Sequence, residues 1–242
     1  MQKFSLGYAQ LSNKMAELAD SDGDVFLPNV EPQEPVDHVL VAMEPSLGRW
    51  AKTAEDAQAK VANGFRNFVD SVDAQLVHYA VRRYLCRPGE SYFVTDISKG
   101  AMLVEKAGQD RAARYDRWFP LLVEELELVG KKDCLVFALG RKVQEQLRKR
   151  SLGRKWYPLI HYSPLAASAR NDAVSGKEDI LERFTADFDQ GDFCDVVNAV
   201  IDESGVPDDY VRGTRVAANR PLSASQMKLL LSYKLEFDRV RG

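Results

Sequence analysis

The run Val36-Asp37-His38-Val39-Leu40-Val41-Ala42-Met43-Glu44-Pro45-Ser46-Leu47-Gly48 decides how this chain folds. Its middle is nearly pure aliphatic and rich in valine, which suits a strand buried on both faces of a sheet. It ends at a carboxylate followed at once by a proline. Proline has no N–H to give to a ladder and biases the residue before it towards an extended or turn conformation. Glu44 is therefore expected at the C-terminal end of a buried strand, where open α/β sheets present their ligands.

Outward from this strand, the pattern alternates. A helix is expected at residues 1–20, with Phe4, Tyr8, Leu11, Met15 and Leu18 on one stripe. Helical sequence follows from about Thr53 to Val81, in two pieces. Ser91–Asp96 reads as a second strand after the Pro88-Gly89 turn signal. Arg111–Val129 reads as a helix, Gly130–Asp133 as a turn, Cys134–Leu139 as a third strand, and Arg141–Arg150 as a helix. Trp156–Ile160 is a fourth strand, ending at His161-Tyr162-Ser163-Pro164. Strands alternating with helices predict an α/β fold, a three-layer α/β/α sandwich around a central, mainly parallel four-stranded sheet. Beyond Arg170 the expectation is a helical extension over 171–242, acidic from Lys177 to Glu203. It ends in a helix opened by a Ser223/Gln226 capping box, with Leu229, Leu230, Tyr233, Phe237 and Val240 docked inward. The whole is expected to be one domain with its core at about 36–170.

The 242 residues suffice for one large domain or a domain with an extension. No apolar run reaches the roughly 20 residues that span a bilayer, and the first twenty residues lack the layout of a signal peptide. A cytoplasmic, monomeric protein without membrane contact is expected. Cys86, Cys134 and Cys194 are too few and too scattered for a disulfide framework, a four-cysteine metal site or an iron–sulfur cluster. The alternating Asp20, Asp22 and Asp24 have a calcium-loop look, but Val25 stands where the sharp-turn glycine belongs, so a helix-ending turn is expected. No metal and no cofactor is expected.

The net charge is −3, unevenly spread. Between Arg141 and Arg170 lie Arg141, Lys142, Arg148, Lys149, Arg150, Arg154, Lys155 and Arg170, opposed only by Glu145. Such a stripe is either a solvated face or a phosphate-binding surface. Glu44, Asp96 and His161 end the first, second and fourth expected strands, and two carboxylates with an imidazole on one sheet edge make an acid–base set. Singly, each also has a plain reading as a cap or a turn residue.

The order and spacing of these segments resemble the uracil-DNA glycosylase superfamily. Ala42-Met43-Glu44-Pro45-Ser46 resembles its first motif, Thr95-Asp96-Ile97-Ser98-Lys99 its strand-end Thr-Asn site, and His161-Tyr162-Ser163-Pro164-Leu165-Ala166 its closing His-Pro-Ser-Pro-Leu-Ser. The resemblance covers about Val36 to Arg170. It implies a DNA partner and a monofunctional glycosylase that flips its target base and leaves an abasic site. Glu44 would stabilise positive charge on the sugar and orient water, and His161 would donate to the departing base. Asp96, Met43 and Ser46 would contact the base. Leu165 would wedge into the vacated stack, and Ser163, Arg170 and Lys99 would contact DNA.

The departures matter too. Asp96 stands for an asparagine that reads uracil, and a protonated acid there pairs with a cytosine edge instead. Ser46 stands where some members carry a tyrosine that blocks C5 substituents. Together they point to a C5-modified cytosine, foremost the glucosylated 5-hydroxymethylcytosine of phage DNA, removed as antiviral defence. The alternatives are a conventional uracil glycosylase, a non-catalytic DNA binder, or a Schiff-base lyase through Lys99. An unrelated nucleotide enzyme lacks its glycine-rich loop. Trp50 and Phe65 are the candidate aromatics for stacking on the base.

Overall fold

A computed structural model describes residues 2–48, 50–103 and 111–242. The chain divides into two compact units, Met1–Asn67 with Glu90–Tyr157, and Phe68–Gly89 with Pro158–Gly242.

The first unit is built on the opening run. Strand β2 (Val36–Ala42) lies between β4 (Tyr92–Asp96) and β6 (Gly130–Leu139), and β7 (Trp156–Leu159) completes the order β4-β2-β6-β7. All four strands are parallel and helices flank the sheet, giving the expected α/β/α sandwich. Val39, Leu40 and Val41 are all fully buried, so both faces of β2 are covered, as its unbroken aliphatic run demands. On one face Val39, Val41, Val136 and Ala138 meet Tyr115, Phe119, Leu122 and Leu126 of helix α4 (Arg111–Val129) and Val143 and Leu147 of α5 (Arg141–Arg150). Helix α1 (Gln2–Ser21) packs on α4, and its Tyr8 meets Phe93 edge-on. Gly140 joins β6 to α5 at φ 91°, a conformation open to glycine and strained for other residues.

Two local expectations change. Gly130–Asp133 is not a turn but the start of β6. Val36 pairs with Gly130 and His38 with Leu135, so the polar Lys131–Asp133 stretch is absorbed as a bulge. A small second sheet was also not anticipated. Its strands β1 (Val25–Phe26), β5 (Gly100–Leu103) and β3 (Ser46–Leu47) are ordered β1-β5-β3. The Asp20–Asp24 segment ends α1 as expected. Asp22 accepts from Arg117 and from Trp118 Nε1, and Asp24 pairs with Arg114. Helix α2 (Ala54–Ala62) is capped by Thr53.

The second unit is helical. It contains α3 (Val72–Ala80), a π-helical turn (Val81–Leu85), α6 (Ala167–Val174), α7 (Glu178–Ala186), α8 (Gln190–Ser204), α9 (Asp208–Ala218) and α10 (Ala224–Arg241). The Ser223/Gln226 capping box is formed, and α10 buries Leu229, Leu230, Tyr233 and Phe237 against α3, α6, α7 and the π turn. Among the described residues no helix is long and apolar enough to cross a membrane.

Candidate functional site

In the first unit, Ala42 pairs with Asp96, so the ends of β2 and β4 lie side by side. Just beyond, Ile97 N–H donates to Ala42 C=O and Ser98 N–H to Met43 C=O, which fixes the backbone around Glu44. Arg111 Nη2 lies 2.8 Å from Oε1 of Glu44, whose side chain is 3% exposed. The hydroxyl of Tyr115 donates to Oε2. Burial and the adjacent Glu44 charge push the Tyr115 pKa well above its ordinary value, so that hydroxyl remains a donor. Glu44 is thus a desolvated carboxylate with each oxygen held by a donor. It can supply a fixed negative charge.

Asp96 is 2% exposed. Its Oδ2 accepts from Asn67 Nδ2 at 2.9 Å and from Asn29 Nδ2 at 3.3 Å. Burial pushes its pKa up to about 7, while Lys99 and the two amides pull the other way. The carboxyl is therefore far easier to protonate than an ordinary aspartate. Met43 is half-buried and packs on the core shared by β2 and α4. Ser46 is exposed on β3, and its carbonyl accepts from Trp50 Nε1 at 3.0 Å. Trp50 stacks on Phe65 at 4.7 Å between centroids. Phe65 is buried, so it is core rather than a platform for a base.

Lys99 requires a correction. Its side chain is buried, with Nζ 2.6 Å from Thr95 Oγ1 and 2.8 Å from Glu125 Oε2, and Thr95 Oγ1 is also 2.6 Å from Glu125 Oε2. A lysine closed inside this triad cannot contact phosphate or form a Schiff base with a sugar. Its i,i+4 spacing from Thr95 was visible in the sequence, but its partner on α4 was not.

His161, Ser163, Leu165 and Arg170 belong to the second unit. Ser163 N–H donates to His161 Nδ1 at 3.0 Å, which makes Nδ1 the acceptor and leaves the proton of a neutral ring on Nε2. Burial, then the Arg170 cation, lower the His161 pKa, so the ring is neutral at physiological pH. The ring also stacks on Tyr162 at 4.6 Å. This is a tautomer prepared to donate from Nε2.

Arg170 also differs from expectation. It is buried, with Nη2 2.5 Å from Tyr162 C=O and 2.8 Å from Ser163 C=O, and Nη1 2.9 Å from Ser225 Oγ. It clamps the His-Tyr-Ser turn and has no reach to a phosphate. Ser163 spends its backbone on His161, Arg170 and Ala166. Beyond this clamp Leu165 sits on the short helical turn Pro164–Ala166 and is 97% exposed.

Sequence reasoning missed Arg111, Tyr115, Asn29 and Asn67. Each lies far along the chain from the carboxylate it holds, and no local pattern marks it. No protein-family model, curated protein or solved structure matches the chain.

Proposed function

We propose that the protein is a monofunctional DNA glycosylase that excises a flipped, C5-modified pyrimidine and leaves an abasic site. The favoured substrate is glucosylated 5-hydroxymethylcytosine in phage DNA, its removal serving antiviral defence. The observation that carries the reading is the His161–Leu165 turn. A neutral imidazole with its proton on Nε2 stands four residues before an apolar side chain exposed at the tip of a clamped turn. Exposed leucines are individually ordinary. One on a turn held from behind by a buried arginine suits insertion into a base stack.

In this reading the C1′–N1 bond breaks with its electron pair passing to the base. Water oxygen then bonds to C1′ and loses a proton, and the departing base anion takes up one proton, so that sugar hydroxyl and base both end neutral. A buried, fixed charge such as that of Glu44 stabilises a cationic sugar, and a neutral imidazole with its proton on Nε2, as in His161, donates to an anionic base. The raised pKa of Asp96 makes its protonated form accessible, and that form can accept from the 4-amino group of a cytosine and donate to its N3. The exposed, small Ser46 supports tolerance of bulk at C5.

The test is alkali-sensitive nicking on matched DNAs containing uracil, cytosine, 5-hydroxymethylcytosine and glucosylated 5-hydroxymethylcytosine. Nicking of the glucosylated DNA, lost in Glu44→Gln and His161→Ala, is expected. Equal nicking of uracil DNA would return the reading to a conventional uracil glycosylase. A DNA binder without excision has one observation in its favour, since both oxygens of Glu44 are already engaged. DNA binding without nicking on any of the four DNAs would favour that second reading over the first.

A further inference from the structure

We infer that the part of the basic stripe on the outer face of α5 and the start of β7 is a nucleic-acid backbone surface of the first unit, without the committed Arg150 and Arg170. Arg141, Lys142, Arg148, Lys149 and Lys155 are all exposed there, and the facing carboxylate is that of Glu145, 3.6 Å from Arg141. Arg150 takes no part, because it is tied to Asp116 and to Ala112 C=O. On a helix, residues 141, 145 and 148 form one row and 142, 145 and 149 another. Seven residues at 1.5 Å each put the cations of each row about 10 Å apart along the axis. A nucleic-acid strand passes a phosphate every ~3.4 Å of helix axis, so the face spans about three or four phosphates.

The strip ends in aromatics that carry cations. The Arg148 guanidinium lies 5.9 Å from the Trp156 ring centroid, and Lys155 Nζ lies 4.8 Å from that of Tyr157. These rings hold the long side chains outward without neutralising them, unlike a carboxylate partner. The ligand chemistry follows from what surrounds the charge. Among the described residues the exposed large hydrophobics are Leu6, Leu165, Ile180 and Val216, none of them on this face. A membrane surface wants apolar residues beside its cations, whereas a phosphate backbone needs only the cations.

The inference uses the glycosylase reading only to name DNA, and its test is independent of excision. Fluorescence anisotropy with an unmodified labelled 20-mer measures Kd for the full chain across 50–200 mM KCl. The variant Arg141→Gln/Lys142→Gln/Arg148→Gln/Lys149→Gln is expected to bind at least tenfold more weakly at 50 mM. Its slope of log K against log salt should be shallower by about 2 to 4, at roughly 0.7–0.9 per lost contact. Glu145→Gln removes the carboxylate paired with Arg141 and should tighten binding several-fold, a gain that misfolding cannot imitate. Unchanged Kd and slope in the quadruple variant, or no tightening in Glu145→Gln, overturns the surface. Binding of anionic vesicles that the quadruple variant loses while keeping DNA affinity would also overturn it. A chain that binds DNA through α5 but excises nothing keeps this inference and defeats the glycosylase reading. Excision with α5-independent binding does the reverse.

Discussion

Tyr115, buried in α4, donates its hydroxyl to Oε2 of Glu44 while Arg111, one helical turn earlier, holds Oε1. The carboxylate at the end of the first core strand is therefore oriented by a helix 71 residues further along the chain. Removing the hydroxyl in Tyr115→Phe leaves a buried carboxylate one donor short. The expected loss is about 1–3 kcal/mol in urea denaturation. Glu44→Gln keeps an acceptor for Tyr115 but removes the charge. If that charge acts on the sugar, excision should fall by roughly two to three orders of magnitude. Wild-type nicking rates in Glu44→Gln would assign the Glu44 cluster to folding alone.

The Lys99–Glu125 pair is enclosed, so breaking it from one side should be costly. Lys99→Met leaves Glu125 and Thr95 buried without their cation, and a loss of about 3–5 kcal/mol is expected. Lys99→Met/Glu125→Leu should recover most of it. DNA affinity, measured well below the melting temperature, should be the same for the double variant and the wild type. A selective drop in affinity would restore Lys99 to the DNA contacts.

Asp96 gives a pH signature of known sign. The unfolded acid ionises near 3.9, and the folded one at about 7. Between those values the folded state holds a proton that the unfolded state has lost. Stability from this group is fullest below about pH 4, declines as pH rises, and levels off past about 7. Asp96→Asn removes the ionisable group. Its urea midpoint relative to wild type should therefore rise steadily from pH 5 to pH 7. Parallel curves for the two proteins would show that Asp96 is ionised throughout.

Leu165 and its clamp should separate function from stability. With Leu165 almost fully exposed, Leu165→Ala should alter stability by no more than about 0.5 kcal/mol. Excision from duplex DNA is expected to fall about tenfold, and excision from single strands much less, since only a duplex has a stack to fill. Arg170→Met should do the opposite first, lowering the thermal midpoint by freeing the carbonyls of Tyr162 and Ser163. Equal losses on duplex and single-stranded DNA in Leu165→Ala would remove the wedge.

How much of this was legible in the sequence follows from the range of each signal. The aliphatic run at 36–42, the helical stripes of α1 and α4, the Gly140 turn and the Ser223 cap are local patterns, and each appears where its pattern lies. Hydrophobic periodicity and cap chemistry act within a few residues, which is why they could be read. The bulge at 130–133 looked like a turn because charged residues exposed on a strand resemble those in a loop. Long-range pairing was invisible. Lys99 and Arg170 carry the residue types of phosphate ligands, and only the tertiary structure shows them buried against Glu125 and the carbonyls of a turn. The sequence by itself determined the parallel α/β core and placed Glu44 and Asp96 at strand ends, because strand identity and burial follow from local pattern, whereas the pairing that makes those strands neighbours came from the folded chain. Which charges are free, which are committed, and which tautomer His161 adopts were decided by partners brought together only in the folded chain, where desolvation makes each contact matter.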